Sequence, residues 1–323
     1  MLELNKIYYG DCLELALQIE SGSVDLILTD LPYGNMNTTG LEVTQNKKQR
    51  KHDWDLVIEP KRVYEIANKI LRKNGKMILF SQEPYTSQLI IQSHANIPFS
   101  YRAIWEKDNF AVSLGVNRNM VSYFEDILIF SKTHDTKDLH PLRNYLKDCK
   151  NKSELTNRQF NNLFSEYTNK KGNRNRSILE HYWAAAQFCL PTREIYEKIL
   201  QPTGFFPISY DELKKINNEF KAKFPSIFNL WEGNKYKSNI LKYKKDYEGL
   251  LPTQKPILLL KDLIKTFSNE NDLIVDLTAG SGSTIIACIQ TNRNFIGIEI
   301  NPDYVEIANR RLANTYRQME LIK

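Results

Sequence analysis

Two stretches about 250 residues apart contain the residue types that hold and activate small polar ligands. In the first, residues 26–34 (LILTDLPYG), an apolar run ends in Asp30, Leu31, Pro32 and Tyr33. A carboxylate accepts hydrogen bonds, a proline stiffens the chain by fixing φ, and an aromatic ring stacks on planar groups. The same residues would also make an ordinary turn, because Pro and Gly punctuate strands everywhere. Ligands, however, gather at the carboxyl ends of strands in open α/β sheets. In the second stretch, residues 276–284 (DLTAGSGST), Gly280 and Gly282 let the backbone turn tightly and approach a ligand with no Cβ in the way. Two glycines fall short of the dinucleotide GxGxxG spacing, and without a GK[ST] sequence a P-loop is excluded. Glu299 then ends the apolar run FIGIE about 20 residues further on, where a carboxylate accepts from both ribose hydroxyls of a nucleoside. Its other reading is a cap for the helix that starts near Pro302. The glycine turn and the acidic strand end together point to a nucleoside cofactor.

The elements that must position these residues alternate strand and helix. The pattern predicts strands over 5–10 and 24–29 around a helix at 12–19. A polar stretch without period, 35–55, reads as a long functional or mobile loop. Apolar residues at Val63, Ile66, Ile70 and Leu71 predict a helix stopping at Gly75, followed by a buried strand, KMILF (76–80). A helix around 84–93 and strands over 101–107 and 125–132 complete the first part. After it, 134–250 reads as a basic, mainly helical insertion, with Ser209 three residues before Glu212 at capping-box spacing. Order resumes with an apolar helix begun by Pro256, then strand, glycine loop, helix, strand and a long amphipathic helix. Such alternation argues for a mostly parallel sheet with helices on both faces.

Bulk properties narrow the class. The chain has 323 residues, 41% apolar and 25% charged, and its longest apolar run falls short of the roughly 18–20 residues of a membrane span. Cys12, Cys149, Cys189 and Cys288 are far apart, with no CxxC and no Cys/His pair at zinc spacing. This argues for reduced thiols and no structural metal. With acidic residues early in the N-terminus and no apolar leader there, a cytoplasmic protein is expected. Of 44 Lys and Arg residues 21 fall in 134–250, against 14 of the 38 Asp and Glu. The excess positive charge therefore sits in the middle third, as a solvated face or as a module that meets a polyanion.

The motifs resemble those of a family, the S-adenosylmethionine-dependent DNA amino-methyltransferases. DLPYG resembles the family's D-P-P-Y motif, and DLTAGSGST its D-P-F-x-G-S-G-T cofactor loop. GIEINPDYVEIANRRL resembles its ribose-binding strand and helix, and LPTQKPILLLKDLI its H-P-T-x-K-P segment. The catalytic motif comes first, then a variable region, then the cofactor motifs, which resembles the circularly permuted β group. The resemblance covers about 1–133 and 251–323, and implies two halves of one methyltransferase domain flanking a target-recognition region at 134–250. The implied fold is Rossmann-like α/β with a mostly parallel seven-stranded sheet.

The resemblance also implies roles. Asp30 and the Leu31 carbonyl would accept the hydrogens of an exocyclic amine, Pro32 would stiffen the turn, and Tyr33 would stack on a base flipped from the duplex. Asp at the first position resembles the N6-adenine enzymes, whereas N4-cytosine enzymes usually have Ser. Leu31 departs from the family's first Pro. Asp276, Gly280, Gly282 and Ser283 would face the methionine portion of the cofactor, with Glu299 and Asn301 at its ribose. Thr278 stands where the family usually has Phe. Asp11 matches a position at the cofactor's adenine amine, or caps the helix after it. Phe80 is either an adenine contact or a core residue. Thr253 and Lys255 fit a segment facing the methionine carboxylate, although Lys255 also reads as a surface charge. Lys47, Lys48, Arg50 and Lys51 in the long loop would meet phosphates as it closes on duplex DNA, and Arg174 and Arg176 would meet phosphates or guanine edges. Similar enzymes often dimerise and often work beside a cognate restriction nuclease, so both are candidate partners. An N4-cytosine enzyme, an RNA or protein amino-methyltransferase and an inactive DNA-binding homologue remain alternatives.

Overall fold

The structure, a computed structural model, describes residues 1–33, 57–109, 120–135, 140–169, 180–183, 188–246 and 254–322. It divides into two compact units, 1–133 with 226–323, and 134–225.

Near-continuous apolar runs form the centre of the first unit because its sheet is covered on both faces. The strands are β1 (Lys6–Tyr9), β2 (Val24–Asp30), β3 (Leu71–Ser81), β4 (Phe99–Glu106), β5 (Phe124–Ser131), β6 (Ile240–Lys242), β7 (Leu273–Asp276) and β8 (Asn294–Glu299). Their order is β1-β8-β7-β2-β3-β5-β4-β6. Pairing is parallel except at β3–β5 and β4–β5, which are antiparallel. Alternate side chains go to opposite faces. Leu26, Leu28, Ile78, Phe80, Ile127, Ile274 and Phe295 pack with the helices Ile257–Phe267 and Ser283–Ile289. Ile27, Met77, Leu79, Leu128, Val275 and Ile296 pack with the helices Pro60–Ile70 and Tyr85–Ile91.

β2 and β7 are neighbours with Leu26 opposite Ile274, yet the chain leaves β7 for β8 on one side and β2 for β3 on the other. That reversal is a topological switch point, the place where open α/β sheets bind ligands. Parallel register puts the ends of β2, β7 and β8 at one edge. The antiparallel start of β5 and the end of β4 join them there, with Ser81 opposite Asp126 and Glu106 opposite Phe124.

Two expectations need correction. Among the described residues the sheet has eight strands, not seven, because Ile240–Lys242 adds a parallel edge strand to β4. The helix expected to stop at Gly75 ends at Ile70, and Leu71 already pairs with Val24. Gly75 is instead a close-approach glycine, since a Cβ there would lie 2.9 Å from the Arg72 carbonyl and 3.0 Å from that of Asp25. The second compact unit ends at Pro225. Residues 226–246, read from the sequence as part of the insertion, are fastened within the first unit by a buried carboxylate. Asp262 accepts from Trp231 Nε1 at 3.0 Å, Lys237 Nζ at 2.5 Å and Tyr243 O–H at 2.9 Å.

Among the described residues the second unit's regular structure is helical. Pro141–Lys152, Asn157–Asn169 and Tyr210–Lys223 are its longer helices, with Ser209 accepting from Glu212 N as the spacing predicts. Its core is aromatic, built on Phe160, Tyr182, Trp183 and Tyr196 with Leu142, Leu146 and Leu213.

Asp262→Ala would remove the acceptor from three part-buried donors, one of them an ammonium. The expected cost is about 1–3 kcal/mol, read by urea denaturation, and limited proteolysis should cut within 226–246 before elsewhere in the first unit.

Candidate active site

Asp30 is the last residue of β2, and its main-chain carbonyl accepts from Thr278 Oγ1 at 2.9 Å. Thr278 Oγ1 also lies 2.7 Å from Thr29 Oγ1. The glycine loop after β7 is therefore bonded to the end of β2 through Thr278, which stands where the family usually has Phe. Leu31 is buried in the core, which anchors the turn, and no described residue donates to its carbonyl. Pro32 and Tyr33 are half-buried, and the Tyr33 ring sits 6.2 Å from that of Tyr85.

The Asp30 carboxylate has two donors, Tyr33 O–H on Oδ1 and the Lys255 ammonium on Oδ2. Lys255 Nζ is also 3.2 Å from Glu125 Oε2, and Lys107 Nζ is 2.5 Å from Glu125 Oε1. Two carboxylates and two ammoniums thus alternate in a row that is buried except at Asp30, which is partly exposed. Burial pushes the Asp30 carboxyl up, with Lys255 pulling against it. Burial opposes the Lys255 cation, but Asp30 and Glu125 outweigh it and hold the proton more firmly than usual. Glu125 is disfavoured by burial yet lies below its ordinary range, because Lys255 and Lys107 both face it. Lys255 was expected to face a cofactor carboxylate or solvent. It is 7% exposed, pairs with Asp30 and Glu125, and lies 5.1 Å above the Phe80 ring. Phe80 is accordingly a core residue beneath that ammonium.

On the other side of the switch point, Asp276 is buried, and its Oδ1 accepts from Thr278 N at 3.1 Å. Burial pushes its carboxyl up to about 6. Gly280 and Gly282 have φ of 53° and 82°. A Cβ at Gly282 would also lie 3.1 Å from Ala308 Cβ, so packing on the last helix as well as backbone conformation demands glycine there. Ser283 Oγ accepts from Arg311 at 3.2 Å, which turns it toward the same helix. Glu299 accepts from Gly280 N at 2.7 Å and Asn301 N at 2.8 Å, one on each oxygen. Asn301 caps the helix Pro302–Ile322 by accepting from Asp303 N at 2.9 Å. Asp11 is a helix cap too, accepting from Leu13 N at 2.8 Å.

These residues fit a nucleoside-containing cofactor. A carboxylate has about four acceptor positions, so Glu299 keeps capacity for ribose hydroxyls. The buried Gln254 Nε2 has no partner among the described residues, although Gln254 Oε1 accepts from Ser281 Oγ of the glycine loop at 3.3 Å. A buried donor without a partner beside a glycine loop suits a polar ligand group.

Thr253, Lys47, Lys48, Arg50, Lys51, Arg174 and Arg176 lie outside the described residues. Sequence reasoning missed Glu125, Lys107 and Gln254. The signal for the first two was faint, an acidic pair opening the strand EDILIF and a lysine closing WEK. No group of metal-ligating side chains is present among the described residues, and no described helix is long and apolar enough to cross a membrane.

A carboxylate–proline–tyrosine turn and a glycine loop meeting at the switch point of a Rossmann-like sheet define a nucleoside-dependent group-transfer enzyme. The family model for N6/N4 methyltransferases, described as DNA methylase, matches residues 24–310, and the chain belongs to that family. It is 28% identical to the DNA adenine methyltransferase YhdJ of Escherichia coli (strain K12), over 99% of this chain and 87% of the relative. It is 24% identical to the type II methyltransferase M.HpaI of Haemophilus parainfluenzae, over 98% of this chain and 77% of the relative. The fold matches the crystal structure of the M1.HpyAVI–SAM complex with TM-score 0.50 and 18% identity, covering 95% of this chain and 98% of that one.

Two outcomes are expected from this geometry. Gly282→Ala should destabilise the chain by about 1–3 kcal/mol through left-handed strain and the Ala308 contact, measured by thermal unfolding. The folded state keeps the Asp276 proton to higher pH than the unfolded chain does. Asp276 therefore makes stability fall as pH rises from about 4 through about 6, by up to about 3 kcal/mol. Asp276→Asn should remove that slope when urea midpoints are compared across the range.

Proposed function

We propose that this chain transfers a methyl group from S-adenosylmethionine to the N6 amine of an adenine flipped out of a specific duplex DNA sequence. The observation that carries this reading is the Asp30 carboxylate at the end of β2, bonded through its own carbonyl to the cofactor-side loop. S-adenosylmethionine supplies an electrophilic methyl when bound. What the protein must add is an amine ready to attack, because the adenine lone pair is conjugated with the ring. Asp30 accepts one amine hydrogen and the Leu31 carbonyl the other, which favours a pyramidal nitrogen with its lone pair facing the cofactor side. Pro32 holds that carbonyl in direction. The amine becomes acidic only as the new bond forms. Asp30 therefore acts first as acceptor and afterwards as the nearest seat for the departing proton, a role its raised pKa suits. Tyr33 offers its ring to the flipped base, which is out of reach inside the stack.

Asp276, the glycine loop and Glu299 hold the cofactor, with Gln254 donating to its polar end. The helical unit 134–225 and the basic loop residues choose and grip the DNA, and the likeness to type II methyltransferases supports a cognate restriction nuclease as partner. The adenine reading rests on Asp at position 30 and on the YhdJ relative's name.

Incubation with labelled S-adenosylmethionine and unmethylated duplex DNA, then digestion to nucleosides and mass spectrometry, should give N6-methyladenine. N4-methylcytosine would overturn the base assignment, and no methylated base at all would overturn the function. Asp30→Asn should lower the single-turnover rate by about 10²–10³ while cofactor affinity stays within about threefold by calorimetry.

A further inference from the structure

Both oxygens of the Asp30 carboxylate carry donors, Tyr33 on Oδ1 and Lys255 on Oδ2. The proposed function, on which this inference rests, needs one of them for the target amine. Lys255 Nζ is the donor that can leave, because a second acceptor is already beside it, Glu125 Oε2 at 3.2 Å. Glu125 is itself held. Its Oε1 takes Lys107 Nζ at 2.5 Å and Gln82 Nε2 at 3.4 Å, and Lys107 lies 5.1 Å over the Trp105 ring. The Lys107, Glu125 and Lys255 side chains are 1%, 10% and 8% exposed, so water cannot take over as partner for any of them. Asp126, the next residue on β5, accepts from Thr86 Oγ1 at 2.9 Å and lies 3.6 Å from Arg102, so it serves other partners.

We infer that Glu125 is a positioning residue that gives the Lys255 ammonium a second seat, so that Lys255 releases Asp30 Oδ2 to the target amine and remains paired inside the protein. An ammonium that left Asp30 without such a seat would be an unpaired buried charge, which is strongly unfavourable. Lys107 fixes the seat in place and keeps the row neutral, two carboxylates against two ammoniums. No covalent bond changes in this step; one hydrogen-bond donor is exchanged for another at Asp30. The arrangement also accounts for Lys255 lying at Asp30 when a cofactor carboxylate was its expected partner.

The test uses the full chain and duplex DNA that the wild type has been shown to methylate. Glu125→Gln should slow single-turnover methylation by about 30–100-fold. DNA affinity and affinity for S-adenosylhomocysteine should each stay within about threefold. Lys107→Met should slow transfer less, and the two changes together should cost less than the product of their separate effects. Glu125→Asp, which keeps the charge, should recover part of the rate. Equal rates in wild type and Glu125→Gln, or a loss matched by weaker DNA or cofactor binding, would overturn the inference alone. If Glu125→Gln fails to fold, Glu125→Asp and Lys107→Met both transferring at the wild-type rate would overturn it. A wild type that methylates no DNA overturns the proposed function and this inference with it.

Discussion

The pairing of β2 with β7 is the constraint on which the rest of the site depends. Only because Leu26 lies opposite Ile274 do the turn at Asp30 and the loop at Gly280 emerge side by side. Polar bonds secure that register at both ends. At one end Asp25 Oδ2 accepts from Leu273 N at 2.8 Å while its Oδ1 takes the Arg72 guanidinium of β3. At the other, Thr278 ties the glycine loop to Asp30. A slip of one residue would send Leu26 and Leu28 to the opposite face, so the two apolar layers guard the same register.

The buried row of charges follows from that placement. Four ionised side chains, three of them away from water, are expensive, and apolar residues of similar volume would often serve stability as well or better. Their retention is intelligible if Asp30 must stay close to a cation and also be able to exchange it. The sheet makes the row possible because β5 runs antiparallel and so begins where β2 and β3 end, delivering Glu125 from a strand start to a crevice otherwise built from strand ends.

Much of this was legible in the sequence. The runs around Asp30, Asp276 and Glu299 announced buried strands because both faces of the sheet are covered, and the expected helices over 84–93 and after Pro256 are present. What misled was residues with two uses. Gly75 looked like a helix stop, but the backbone needs it where Arg72 and Asp25 crowd in. Lys237 and its neighbours read as part of the insertion because their anchor, Asp262, lies on another element. Asp11 satisfies a cap with the same carboxylate that a ligand would use, so spacing alone could not separate the two readings. Glu125 escaped notice because its importance lies in what stands opposite it, and pairings across a sheet leave no mark in local sequence.

The order of the sheet also bears on how the chain is made. β1 pairs with β8, Lys6 opposite Ile296, and β2 pairs with β7 across nearly the whole sequence. During synthesis the first strands therefore emerge long before their partners, and β2 must wait with one apolar edge open until the final quarter of the chain is translated. Such long-range closure is slow and exposes sticky surface on the ribosome. A truncated or stalled product of this gene is thus an aggregation hazard, and the enzyme comes into existence only when its last strands arrive.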